Sequence, residues 1–174
     1  MKKLLLALMM LAPAASFAQK FGHIDAQSIM TGMPEFTKAQ AELEATAKQY
    51  DEDLKAMQSE LQRKAEDYDK NRSTMNETKQ KETEQSLMEL QQKIQQAYQD
   101  NQQALQKAQQ QKMTPITSKL VDAIKAVGKA GGYVYIMDIG SGIPYISESL
   151  SEDVTAKVKA ELSKMTTTTT SSKK

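Results

Sequence analysis

The chain has no cysteine, which excludes disulfides, thiol nucleophiles and cysteine-based zinc sites. It has no tryptophan, and aromatics make up only 5% of 174 residues, a thin supply of large core-forming side chains. Its single histidine is His23, with Asp25 two positions on. Two side chains are too few to hold a metal, and no serine elbow accompanies them to build a triad. The pair therefore reads as polar residues at a strand end, and neither catalysis nor a cofactor is expected. No glycine-rich phosphate loop is present, since Gly140-Ser141-Gly142 has the length of a turn. Charge of one sign is also missing: 23 basic residues face 22 acidic ones, which gives no electrostatic case for nucleic acid.

Long hydrophobic runs are absent as well. The longest is Leu4–Ala12, well short of the ~20 residues that a membrane span needs. Lys2 and Lys3 precede it, Pro13 breaks it, and Ser16-Phe17-Ala18 supplies small residues at a cleavage site. This is the pattern of a secretory signal peptide over residues 1–18, cleaved after Ala18, so the mature chain is expected to start at Gln19 and be exported. No cysteine follows the run, so no lipid anchor is expected. Removing Lys2 and Lys3 turns the formal charge of +1 into −1.

What the chain has instead is helix-forming material. Glu35 to Met113 contains neither Gly nor Pro and is dense in Glu, Gln, Lys, Ala, Leu and Met. As one helix it would run ~120 Å. Leu43, Ala47, Tyr50, Leu54, Met57, Leu61 and Tyr68 recur at alternating steps of four and three, with Lys64 at a skipped position, which is a coiled-coil seam. Leu87, Leu90, Ile94, Ala97, Asn101, Ala104 and Ala108 continue the pattern more weakly. Between the two runs, Asn71 to Thr78 is rich in residues that compete with the helical backbone, and Thr74 and Glu77 have capping-box spacing. The prediction is an antiparallel helical hairpin over residues 35–113 that reverses near 71–77. The rival is a single straight helix that dimerises.

Residues 19–34 and 114–165 flank the hairpin and form the expected body. Phe21–Asp25 reads as a strand. Pro34 suits the first position of the long helix. Pro115 either kinks the returning helix or restarts it with Thr114 as cap. Ile116, Leu120, Ile124 and Val127 give an amphipathic stripe, and Gly131-Gly132 ends it. Tyr133–Ile139 reads as a strand covered on both faces. A three-residue turn then leads to a return strand over 143–147, an edge because of Pro144. Ser149 and Glu152 again have capping-box spacing before a last helix marked by Val154, Val158 and Leu162. Residues 166–174 read as a disordered tail. So small a body with open strand edges calls for self-association.

Two stretches, KFGHIDAQSIMTGMPEF opening into the long helix and GGYVYIMDIGSGIPYISESLSEDVTAKVKAEL after it, make the chain resemble the Skp/OmpH family of periplasmic chaperones up to about Lys164. The resemblance implies an α+β fold: a small oligomeric β-body carrying a long antiparallel α-helical coiled-coil hairpin, three copies forming a jellyfish-like homotrimer around a cavity. It implies an ATP-independent holdase that keeps unfolded outer-membrane proteins soluble in transit. The alternative is a structural coiled-coil spacer or adaptor of the cell envelope. One departure is the near-neutral charge, where the best-known members are strongly basic.

A holdase needs soft apolar groups that make many weak contacts. Met88, Tyr98 and Leu105, just off the seam, and Met75 near the tip are the client-binding candidates; finishing the seam is their alternative role. Lys70, Arg72, Lys79 and Lys81 face only Glu77 at the tip. They form a candidate basic site for weak contact with anionic lipid or client charge, against the alternative of an ordinary solvated helix end.

Overall fold

A computed structural model describes residues 19–171. The predicted signal peptide lies outside the described residues. The elements in chain order are β1 (Lys20–Ile24), α1 (Ala26–Thr31), α2 (Pro34–Asn71), a 3-10 turn (Arg72–Thr74), α3 (Glu77–Gly131), β2 (Tyr133–Asp138), a second 3-10 turn (Ile139–Ser141), β3 (Ser151–Asp153) and α4 (Thr155–Ser171). The chain divides into a helical unit, Ser28–Val121, and a unit built from the segments on either side of it. The sequence reading places the joints at Pro34 and Thr114 instead, several residues inside the helical unit.

The helical unit is the predicted antiparallel hairpin. Pro34 opens α2, where its missing N–H costs nothing. The reversal falls where side chains rich in local hydrogen bonds interrupt the helix. Asn71 Nδ2 donates to the Asp67 carbonyl at 2.8 Å and Thr74 Oγ1 to the Asn71 carbonyl at 2.8 Å. The cap of α3 is not Thr74. Asn76 Oδ1 accepts the Lys79 N–H at 2.8 Å, and Glu77 begins the helix with an acidic first turn. Thr74 is held one turn earlier by its bond to Asn71, so the capping-box reading is corrected by two residues. Gln80 Nε2 reaches back to the carbonyls of Arg72 and Met75 at 3.0 and 3.1 Å, tying the start of α3 to the turn.

Both seams fall where the heptad reading puts them. Leu43, Ala47, Tyr50, Leu54, Met57, Leu61 and Lys64 are half-buried on α2 and Tyr68 is buried. On α3, Leu87, Leu90, Ile94, Ala97, Asn101, Ala104 and Ala108 are half-buried. Among the described residues, side-chain bonds link the arms from Tyr68 to Glu84, Lys112 to Glu42 and Lys119 to Glu35. Each pair is centred on Asn76 or Glu77, which marks the axis of reversal. Ile29, Met33, Phe36, Ala39, Ile116 and Leu120 are buried toward the open end of the hairpin. Pro115 lies inside α3, which neither stops nor restarts there. Thr114 is no cap, because its Oγ1 donates to the Gln110 carbonyl within the helix at 2.8 Å.

The second unit holds a three-stranded sheet of order β2-β1-β3, with both pairings parallel. This corrects the predicted β-hairpin. Residues 143–147 form no strand, and β3 is the polar Ser151–Asp153, which pairs with β1 rather than β2. The segment between β2 and β3 is about a dozen residues long, enough for a crossover between parallel strands. The predicted Ser149 cap gives way with it. Asp153 instead accepts the Thr155 N–H at 2.9 Å to start α4. The fully buried groups are Ile24, Ala123, Val154 and Val158, with Leu162 next on the same face of α4. Gly131 is required by packing: a Cβ there would lie 2.2 Å from the Tyr133 ring. Gly132, at φ 65°, then turns the chain out of α3.

Two further expectations change. Val134, Tyr135 and Met137 are open, so within one copy the apolar side chains of β2 are not covered on both faces. The backbone of Thr166–Ser171 continues α4, where the sequence reading placed a tail without structure. Thr is a weak helix former but not a breaker, and no Gly or Pro intervenes.

Candidate functional site

The arms carry the candidate surface. Met88 is 58% exposed and Tyr98 56% exposed on α3, while Leu105 is half-buried. All three belong to one stripe. Met88, Gln91, Gln95, Tyr98, Gln102, Leu105 and Gln109 follow one another at steps of three and four. They run parallel to the buried seam and one residue beyond it. None of the seven is Asp, Glu, Lys, Arg or His.

The stripe borders two grooves between α2 and α3. The smaller, about 300 Å3, has Gln95 and Tyr98 on its wall with Leu54 and Ile94 beneath. The larger, about 630 Å3, has Leu105 and Gln109 beside Phe36, Leu43 and Met113. The sequence reading found the Met, Tyr and Leu of this stripe and missed its glutamines. On an exposed helix, glutamine reads as solvated filler. The signal that could have found them was the shared heptad step.

Met75 stands apart, half-buried in the turn. The four basic candidates gather near it, all exposed, but they do not form one unpaired patch. Lys81 binds Glu77 at 2.8 Å and Lys79 binds Glu82 at 3.4 Å. The Arg72 guanidinium lies 5.9 Å over the Tyr68 ring. Asp67, Asp69, Glu82 and Glu84 border the same end, outside the window on which the basic reading rests.

Electrostatics along the hairpin are those of paired groups. The hydrogen bond from Lys119 holds the Glu35 carboxyl below its ordinary range, and that from Lys112 does the same for Glu42. The bond to Glu84 raises the Tyr68 phenol, because losing its proton would break the bond and set two negative charges together.

His23 and Asp25 have structural partners. His23 Nδ1 is 2.9 Å from Ser151 Oγ, across the β1–β3 pairing. The Asp25 N–H donates to Thr155 Oγ1 at 3.0 Å. Among the described residues no group of three or more His, Asp or Glu is placed to hold a metal ion, and no helix is long and apolar enough to cross a membrane.

The sheet unit offers a second surface. Val134 is 58% exposed on the β2 edge, with Tyr135 and Met137 also open. Tyr145 and Leu150, in the connection to β3, are 78% and 72% exposed.

The described residues thus form a long antiparallel hairpin with a Met, Tyr, Leu and Gln stripe on its arm, and a small parallel sheet with an apolar edge strand. The family model for outer membrane protein (OmpH-like) matches residues 20–162, and the chain belongs to that family. Among solved structures, it is similar to an OmpH-like protein of Caulobacter crescentus CB15 proposed to be an outer membrane chaperone. The two share 16% identity and a TM-score of 0.74, over 84% of this chain and 85% of that one. No curated protein matches the chain.

Proposed function

We propose that this chain is an ATP-independent holdase of the periplasm. It binds unfolded outer-membrane proteins between helical arms and keeps them soluble. The observation that carries this reading is the row of exposed Met88, Tyr98 and half-buried Leu105 on the arm of an OmpH-like chain. Apolar groups left open along a helix offer many weak, sequence-tolerant contacts. The chaperone role proposed for the similar Caulobacter protein points the same way.

Export follows from the leader over residues 1–18, removed after Ala18. Self-association is supported by the β2 edge, where Val134, Tyr135 and Met137 offer strand pairing and apolar burial to another copy; the number three is what the family resemblance implies. The tip makes at most weak contact with anionic lipid, because Lys79 and Lys81 are already in ion pairs. No cofactor and no catalytic step are part of this reading.

The test is light scattering of the chain from Gln19, alone and then with a urea-unfolded outer-membrane β-barrel protein diluted into it. A trimer that becomes a soluble trimer–client complex supports the proposal. A trimer that leaves the client to aggregate overturns the holdase reading in favour of an envelope spacer. A monomer overturns the trimeric assembly.

A further inference from the structure

We propose that the Met88–Gln109 stripe recognises the peptide backbone of an extended client segment, with glutamine amides as the hydrogen-bonding partners and the flanking grooves as seats for its apolar side chains. This deepens the holdase reading and rests on it.

The first argument is chemical. Each glutamine amide offers two donors and an acceptor oxygen, which is what a run of unpaired peptide N–H and C=O groups requires, whatever the client's sequence. Within the chain, no hydrogen bond among the described residues occupies the side-chain amide of Gln91, Gln95, Gln102 or Gln109, as is also true of the neighbouring Gln92, Gln103 and Gln110; what sets the four apart is their place in line with Met88, Tyr98 and Leu105 beside the grooves. A neutral amide also sheds water at far lower cost than a charged group.

The second argument is geometric. Tyr98 borders one groove and Gln109 the other. At 1.5 Å per residue they stand about 16 Å apart along α3, a distance that an extended chain covers in roughly five residues. A strand-length segment therefore reaches from one groove to the next.

The third argument excludes a helix as occupant. A coiled-coil seam needs two apolar residues per heptad. The stripe reads Met, Gln, Gln, Tyr, Gln, Leu, Gln, so a packed helix, whose own backbone is already paired, would bury four amides without backbone partners. An extended chain supplies those partners.

The experiment measures binding of a fluorescently labelled, urea-unfolded outer-membrane β-barrel protein to the chain from Gln19. The variant Gln95→Glu/Gln102→Glu/Gln109→Glu keeps helix propensity but puts acceptor-only charges on the stripe. It is compared with Gln92→Glu/Gln103→Glu/Gln110→Glu, which adds the same charge at positions each one residue beyond a stripe glutamine (Gln91, Gln102 and Gln109). The stripe variant is expected to bind roughly tenfold more weakly, as charged groups resist burial and lose the donor half of each amide, while the displaced variant stays within about twofold. Wild-type affinity is expected to hold between about 0.05 and 0.5 M salt, since screening acts on charges.

Equal losses in both variants overturn the proposal, as does a stripe variant that binds like wild type; in either case the holdase reading stands. A stripe variant that changes the subunit number by light scattering also overturns it, in favour of contact between copies. A wild-type chain that binds no client overturns both readings. Gln95→Ala/Gln102→Ala/Gln109→Ala, with helical content checked by circular dichroism, separates loss of the amides from added charge and is expected to weaken binding as well.

Discussion

The Tyr68 hydroxyl donates to the Glu84 carboxylate across the hairpin, one bond away from the turn that joins the arms. Tyr68 is the buried residue of the α2 seam nearest the tip, so its bond closes the last packed layer before the reversal. Tyr68→Phe keeps the ring and removes that bond. Hydrogen exchange over residues 66–86 is expected to quicken roughly 2- to 10-fold, the range that the net worth of one hydrogen bond implies, with little change in the remaining arm. Equal protection in both proteins would show the bond to be idle.

Acid should loosen the arms at their open end. Glu35 and Glu42 have carboxyls lowered by hydrogen bonds from Lys119 and Lys112. A lowered folded-state value means that the stabilisation is present above the unfolded carboxylate pKa of about 4.3 and is lost as pH falls through the folded value. Both groups are partly exposed, so the effect is modest and sensitive to salt. Thermal melts from pH 7 downward should show a midpoint falling below about pH 4.3. Glu35→Gln/Glu42→Gln should flatten that fall.

The cap of α3 can be assigned by substitution. Asn76→Ala removes the acceptor of the Lys79 N–H and should cost about 1 kcal/mol. Thr74→Ala loses only an exposed bond to Asn71 and should cost less. Urea titrations that rank Thr74 above Asn76 would restore the capping box read from the sequence.

Val134→Lys places a charge on the exposed β2 edge, a device that blunts strand pairing. The variant is expected to keep its helical content and to lose self-association by light scattering. Unchanged association would move the contact away from β2.

The arms were legible because a coiled coil writes its contacts into a single period. Leu54, Leu61, Leu87 and Ile94 lie on the seam that their spacing describes, and Met88 and Tyr98 are exposed one step off it. The sheet was less legible because its pairings are set by the whole chain. Ser151–Asp153 carries no apolar alternation, so nothing local marks it as a strand; it becomes one beside β1, with Ser151 meeting His23. Ile143–Ser147 has strand composition but contains Pro144, which cannot donate to a ladder, and β1 already pairs with the neighbouring β2. At the tip, the basic reading counted charges within a short window and so left out Glu82, which binds Lys79. The four stripe glutamines were invisible to a search for unusual residues, since each is ordinary alone.

The strand order β2-β1-β3 places the first strand in the middle of the sheet. His23 and its partner Ser151 are separated by 128 positions. The tip of the hairpin needs a far shorter closure, because Tyr68 and Glu84 are 16 positions apart, while its open end joins Glu35 to Lys119 across 84. Local closure outruns distant pairing. The tip is therefore expected to close before the sheet that β1 completes, and a chain cut short of Ser151 is expected to keep its hairpin but leave its first strand with one edge unanswered.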